Sequence, residues 1–128
     1  MSPDSPIKAV SRSWGLVLLY HSVTDEPLAA PKGTVHNVHP QTFRSHLEQL
    51  VPFFDFVSID EFAAAHSRAG LASVTFDDGY QNIIDHAYPV LREFQVPCCC
   101  FLNPITLSGQ WNWRDKVRFV IENDLEQE

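Results

Sequence analysis

Gly15-Leu16-Val17-Leu18-Leu19-Tyr20 is a continuous apolar run of strand length. A strand that is apolar on both faces belongs inside a covered parallel sheet, and this one ends at His21. A polar loop from Ser22 to His39 follows. Pro40 then opens a segment with Phe43, Leu47, Leu50 and Val51 at helical spacing, proline being tolerated in the first turn of a helix. Phe54 to Val57 is a short strand candidate. Ser58-Ile59-Asp60-Glu61 has the Ser-x-x-Glu pattern in which the two ends of a first helical turn bond each other, so a helix is expected from Ile59 to His66. Ala72 to Phe76 is a second well-marked strand, followed at once by Asp77-Asp78-Gly79-Tyr80. Ile83, Ile84, Ala87, Leu91 and Phe94 continue at helical spacing, and Pro89 is expected to kink or split that helix. Val96 to Leu102 is a fourth strand, and Trp111 to Glu122 is a last amphipathic segment through Trp113, Val117, Val120 and Ile121.

Strands alternating with helices imply parallel strands joined by crossovers, an α/β class with its functional groups at the carboxyl ends of the strands. His21 and Asp77-Asp78 fall there. Residues 1–13, with Pro3, Pro6, serines and alternating charge, read as a loose leader, and residues 14–128 as one domain without repeat or linker. With 45% hydrophobic and 12% aromatic residues, the chain has the apolar material for a packed core.

A net charge of −7 with only nine Lys and Arg disfavours nucleic acid or an anionic membrane as partner. No apolar run is long enough to cross a bilayer, and the first twelve residues lack the basic-then-apolar order of a secretory signal, so the expected location is cytoplasmic. Cys98, Cys99 and Cys100 are consecutive. Neighbouring strand residues point to opposite faces, so these thiols are expected to be buried as small hydrophobes and to form no disulfide.

Two adjacent carboxylates just after an apolar strand are costly unless a cation or hydrogen bonds compensate them. One reading is a metal or proton-transfer site: Gly79 lets the backbone turn sharply, one Asp coordinates a divalent ion, and its neighbour takes a proton from the activated water. The other is a surface Asp-Asp-Gly turn that starts a helix, where acidic residues are favoured. His21 shares this rim, as a site residue or as a hydrogen-bonded structural histidine. His36 and His39, three apart in the loop before Pro40, read as a segment entering a helix rather than as metal ligands.

Leu19-Tyr20-His21-Ser22-Val23, Thr75-Phe76-Asp77-Asp78-Gly79-Tyr80 and Ala87-Tyr88-Pro89-Val90-Leu91 resemble, in this order, the polysaccharide deacetylase (NodB-homology, carbohydrate esterase 4) family. The resemblance extends over about residues 15 to 122, through Phe43, Leu47 and Leu50, Val57 to Phe62, and Val96 to Leu102. It implies a deformed (β/α) barrel that removes N-acetyl, or in some members O-acetyl, groups from an acetylated oligo- or polysaccharide with a divalent metal, often zinc. Asp77 would be the general base and Asp78 a metal ligand, with His21 in a supporting position. Trp111 and Trp113 are candidate sugar contacts, although two aromatics opening an amphipathic helix are more often core, and Asn103 is a weaker candidate.

The family's second motif, two histidines four residues apart on a helix, has no counterpart here, nor have its later Arg-containing and Leu-x-His motifs. Four strands are about half of a barrel that in the eight-stranded architecture takes roughly 250 residues, so a partial domain with an incomplete metal site is expected. The alternatives are a non-catalytic carbohydrate-binding or structural remnant of the same half-barrel, and a receiver-like phosphoacceptor domain. The latter fits poorly, because its acid pair follows the first strand and here the pair follows the third.

Overall fold

The computed structural model describes residues 5–25 and 37–122. In chain order these form α1 (Pro6–Ser11), β1 (Leu16–Tyr20), β2 (Ser22–Val23), β3 (Asn37–Val38), α2 (Pro40–Leu50), β4 (Asp55–Phe56) and α3 (Ile59–Ala64). Then come β5 (Leu71–Asp78), a π-helical turn (Ile83–Ala87) that runs into α4 (Tyr88–Glu93), β6 (Cys98–Leu102), the single turn α5 (Pro104–Leu107) and α6 (Trp113–Glu122).

The sheet is organised by β5. Along one edge β1 pairs with it in parallel, Leu18 opposite Val74 and Tyr20 opposite Phe76. On the other edge β4 pairs with its beginning and β6 with its end, both in parallel, Phe56 opposite Ala72 and Asp78 opposite Leu102. A strand with neighbours on both edges is shielded along its length, and Ala72 to Phe76 are all buried. The parallel α/β class expected from the alternation of strands and helices is the observed one.

Alternation along β5 then sorts its side chains. Val74 and Phe76 join Leu18, Tyr20, Phe43, Leu47, Ala87, Val90 and Leu91 in the hydrophobic core. Phe43 and Leu47 lie one turn apart on α2 and are fully buried, as their spacing requires. Tyr20 packs edge-on against Phe43 with ring centroids 4.9 Å apart, and its hydroxyl lies 2.9 Å from His46 Nδ1. Burial pushes the Tyr20 hydroxyl up to about 12, so it stays protonated at neutral pH. On the opposite face of the sheet Ser73 and Thr75 are flanked by Val17 and Leu19, which are 43% and 55% exposed. That face is apolar at its margin and open.

The helix boundaries follow from local chemistry. His39 caps α2, its Nδ1 accepting from the Gln41 N–H at 3.2 Å, and Pro40 occupies the first turn. Ser58 and Glu61 form the reciprocal cap read from the sequence at the start of α3. Pro89 has no N–H to donate and cannot sit under a regular helical carbonyl. The chain takes up this mismatch in the wide turn Ile83–Ala87 before α4 begins, which is the split expected there.

Three features depart from the sequence reading. Pro6–Ser11 is helical, with Ser11 buried and its hydroxyl donating to the Lys8 carbonyl at 3.0 Å, inside the stretch read as a loose leader. Ser22–Val23 and Asn37–Val38, both within the expected polar loop, pair as a two-stranded parallel ribbon. The cysteines are not core residues: Cys98 and Cys100 are exposed and Cys99 is half-buried. The reason is position, since β6 has β5 on one side and, among the described residues, no strand on the other. All three thiols are free. Titration of the unfolded, unreduced monomer is expected to find three reactive groups, and fewer would contradict this assignment.

Candidate active site

The carboxyl end of β5 carries Asp77 opposite Phe101 and Asp78 opposite Leu102 of β6. Strand alternation breaks at Asp78, whose φ of 69° lies in the left-handed region, and Gly79 follows at 74°. Gly79 suits this turn by conformation, since a left-handed backbone carries no Cβ penalty there, while the atom nearest to an added Cβ is the movable end of the exposed Leu102 side chain. Asp tolerates the left-handed region better than most residues but still at a cost, and such strain concentrates at functional sites.

This turn separates the two carboxylates. The Asp77 side chain is 39% exposed, with its Oδ2 3.9 Å from His21 Nε2, whereas the Asp78 side chain is 14% exposed. Asn103 Nδ2 donates to Asp78 Oδ1 at 3.4 Å. Asp78 Oδ2 is buried without a hydrogen bond, and Arg114 Nη1 lies 3.7 Å from it. The two acids and His21 thus share one rim. His21, Asp77, Asp78, Asn103, Trp113 and Arg114 line an open cleft of about 400 Å³.

The far wall of the cleft is the first turn of α6. Asn112, itself buried, accepts through Oδ1 from the Arg114 N–H at 3.3 Å and so caps the turn. The Tyr80 hydroxyl lies 3.2 Å from both carboxylate oxygens of Asp115 and donates to that group. Burial first, then the charges of Asp115 and Asp78, push Tyr80 up to about 12, which keeps this donor protonated. Trp113 is 65% exposed over the cleft, with the Arg114 guanidinium 5.7 Å from its ring centre. Trp111 is exposed outside the lining and packs edge-on against Phe119 at 5.6 Å. Neither tryptophan is core, the commoner reading of two aromatics opening an amphipathic helix, and of the two only Trp113 lines the cleft with the acids.

His39 is committed to capping α2, and His36 lies outside the described residues. Arg114, Asn112 and the contact between Tyr80 and Asp115 were not singled out in the sequence. Asn112 just before an amphipathic run is a readable helix-start signal, but nothing local marks Arg114 as a neighbour of an acid 36 positions earlier.

A buried, anionic oxygen without a hydrogen bond fits a divalent cation, so Asp78 qualifies as a metal donor. Among the described residues no three His, Cys, Asp or Glu side chains converge, so Asp78 is one donor and not a complete set.

The family model for polysaccharide deacetylase matches residues 65–121. No curated protein matches the chain in sequence. Among solved structures, IcaB from Ammonifex degensii is 28% identical with a TM-score of 0.54, over 69% of this chain and 38% of that one. The putative polysaccharide deacetylase BA0330 from Bacillus anthracis superposes with a TM-score of 0.56 at 20% identity, over 70% of this chain and 29% of that one. A de-N-acetylase from Aggregatibacter actinomycetemcomitans gives 0.53 at 24% identity, over 66% and 35%. The chain spans less than two fifths of the length of each of these proteins. With the family model lying across the Asp-Asp turn and the same partial α/β fold in solved structures that include a de-N-acetylase, the resemblance to the polysaccharide deacetylase family read from the motifs is borne out.

Proposed function

We propose that this chain carries the Asp-Asp part of the active site of a metal-dependent carbohydrate deacetylase. The observation that carries the proposal is the division of labour at the end of β5: one carboxylate open to the cleft, the other buried with an unbonded oxygen.

Asp77, with its side chain in solvent contact, accepts the proton of the water that attacks the acetyl carbonyl. His21 Nε2, 3.9 Å from Asp77 Oδ2, stands close enough to help position that carboxylate. Asp78 is the residue that would hold a divalent ion, zinc in the usual family chemistry, and the bound ion supplies Lewis-acid polarisation and a lowered pKa for water. Trp113 presents an exposed ring against which a sugar can stack, with Asn103 and Arg114 as polar neighbours in the same cleft. A catalytic zinc ordinarily takes three protein ligands, so Asp78 would need partner donors that the described residues do not bring together around it.

The test is acetate release from an N-acetylglucosamine oligomer with added zinc or cobalt. It compares the 128-residue chain with a chimera in which residues 14–122 replace the matching part of the Ammonifex protein, each with and without Asp77→Asn. The chimera is expected to turn over and to lose activity with Asp77→Asn, while the 128-residue chain alone releases little. A folded but inactive chimera would overturn the proposal. Robust turnover by the chain alone, abolished by Asp77→Asn, would keep the proposal and place the remaining ligands among His21, His36 and His39.

A further inference from the structure

Two consecutive residues of α6 reach two residues of the Asp-Asp-Gly-Tyr turn. Arg114 stands 3.7 Å from Asp78 Oδ2, and Asp115 accepts a hydrogen bond from the Tyr80 hydroxyl at 3.2 Å. The Trp113 ring lies under the same guanidinium, and Asn112 fixes the turn from below. The helix start is thus latched at Tyr80, and the latch holds a positive charge against the carboxylate read above as a metal ligand. The Arg114 to Asp78 distance is longer than a hydrogen bond, so the pair is held by charge and by the latch rather than by a directed contact.

A guanidinium and a divalent cation cannot share one buried carboxylate oxygen without strong repulsion. We propose that Arg114 is the resident counter-cation of Asp78, and that a divalent ion reaches Asp78 only by displacing the guanidinium, so the first turn of α6 sets the metal affinity of the site. This rests on the reading of Asp78 as a metal ligand. Displacement moves the Arg114 side chain out of the cleft wall that Trp113 shares, so cation occupancy and the shape of the sugar cleft are linked.

Manganese is the suitable probe because it prefers carboxylate to thiolate, leaving Cys98, Cys99 and Cys100 out of the measurement. The free-ion electron paramagnetic resonance signal is followed as Mn²⁺ is titrated into the 128-residue chain, Arg114→Gln, Arg114→Lys, Asp78→Asn and the Arg114→Gln/Asp78→Asn double variant. Arg114→Gln is expected to bind about tenfold tighter than the unaltered chain, and Arg114→Lys to stay within about threefold of it, because only the first removes the competing charge. The gain should vanish when Asp78→Asn is added. Binding by Arg114→Gln that is unchanged, weaker or absent up to millimolar ion overturns the proposal. If Asp78→Asn weakens binding but Arg114→Gln brings no gain, only the role of Arg114 fails. A gain that survives Asp78→Asn places the ion elsewhere and removes both this proposal and the ligand role of Asp78.

Discussion

Asp77→Asn is expected to lower kcat/KM for acetate release by about 10²–10⁴-fold in the chimera, the usual loss when a positioned proton acceptor is removed. Asparagine keeps the size and shape of the side chain and can still accept a hydrogen bond, but it cannot take up a proton in the attack step. The fold should not notice. Asp77 is 39% exposed, and the imidazole of His21 lies 3.9 Å from it, a loose contact of the kind worth at most about 1 kcal/mol at a partly solvated site. A thermal melt within a few degrees of the parent, together with the loss of turnover, is the expected pair of results. A drop in rate matched by a large drop in melting temperature would instead assign Asp77 to structure.

The largest expected effect on stability is at Phe76. Its ring is fully buried on the central strand, 5.8 Å from Tyr20 and 6.0 Å from Phe43 between ring centres, so truncation leaves a cavity where the sheet meets α2. Phe76→Ala should cost about 3–5 kcal/mol in urea unfolding. Total stabilities of about 5–15 kcal/mol are usual, so this single change brings a domain of this size near its unfolding threshold. Val17→Ala, on the open face of the neighbouring strand, should cost no more than about 0.5 kcal/mol, because Val17 is already 43% exposed. Equal losses at both positions would mean that the open face is covered in solution.

The elements legible in the sequence are those whose information is local. Phe43 and Leu47 announce the buried face of α2 by spacing alone, Ser58 and Glu61 announce the cap of α3, and Pro89 announces the broken helix before α4. The Asp-Asp turn was legible because acids after an apolar strand are physically unusual, and the family motif sharpened it. Pairings between distant segments were not legible. Two-residue strands such as Ser22–Val23 and Asn37–Val38 carry no periodicity, and their pairing depends on where the rest of the sheet puts them. The apolar character of Cys98 to Leu102 reported strand but not edge, so the thiols were expected inside and stand outside. The amphipathic pattern of α6 likewise defined a face without saying what meets it. That is why Trp113 stayed ambiguous and Arg114 went unread until the fold brought residues 78 and 114 together.

The left-handed backbone at Asp78 bears on how this sequence can change. A glycine there would relax the conformation and remove a poorly solvated charge, so drift toward stability favours loss of the acid. Natural chains under no functional demand tend to shed such positions, because most routes to a sturdier fold run through residues that folding alone would not choose. Among descendants of this sequence, position 78 is therefore a gauge of use. Lineages that still perform the chemistry should keep aspartate in its awkward conformation, and lineages that have given it up should be recognisable by glycine or asparagine at that one site.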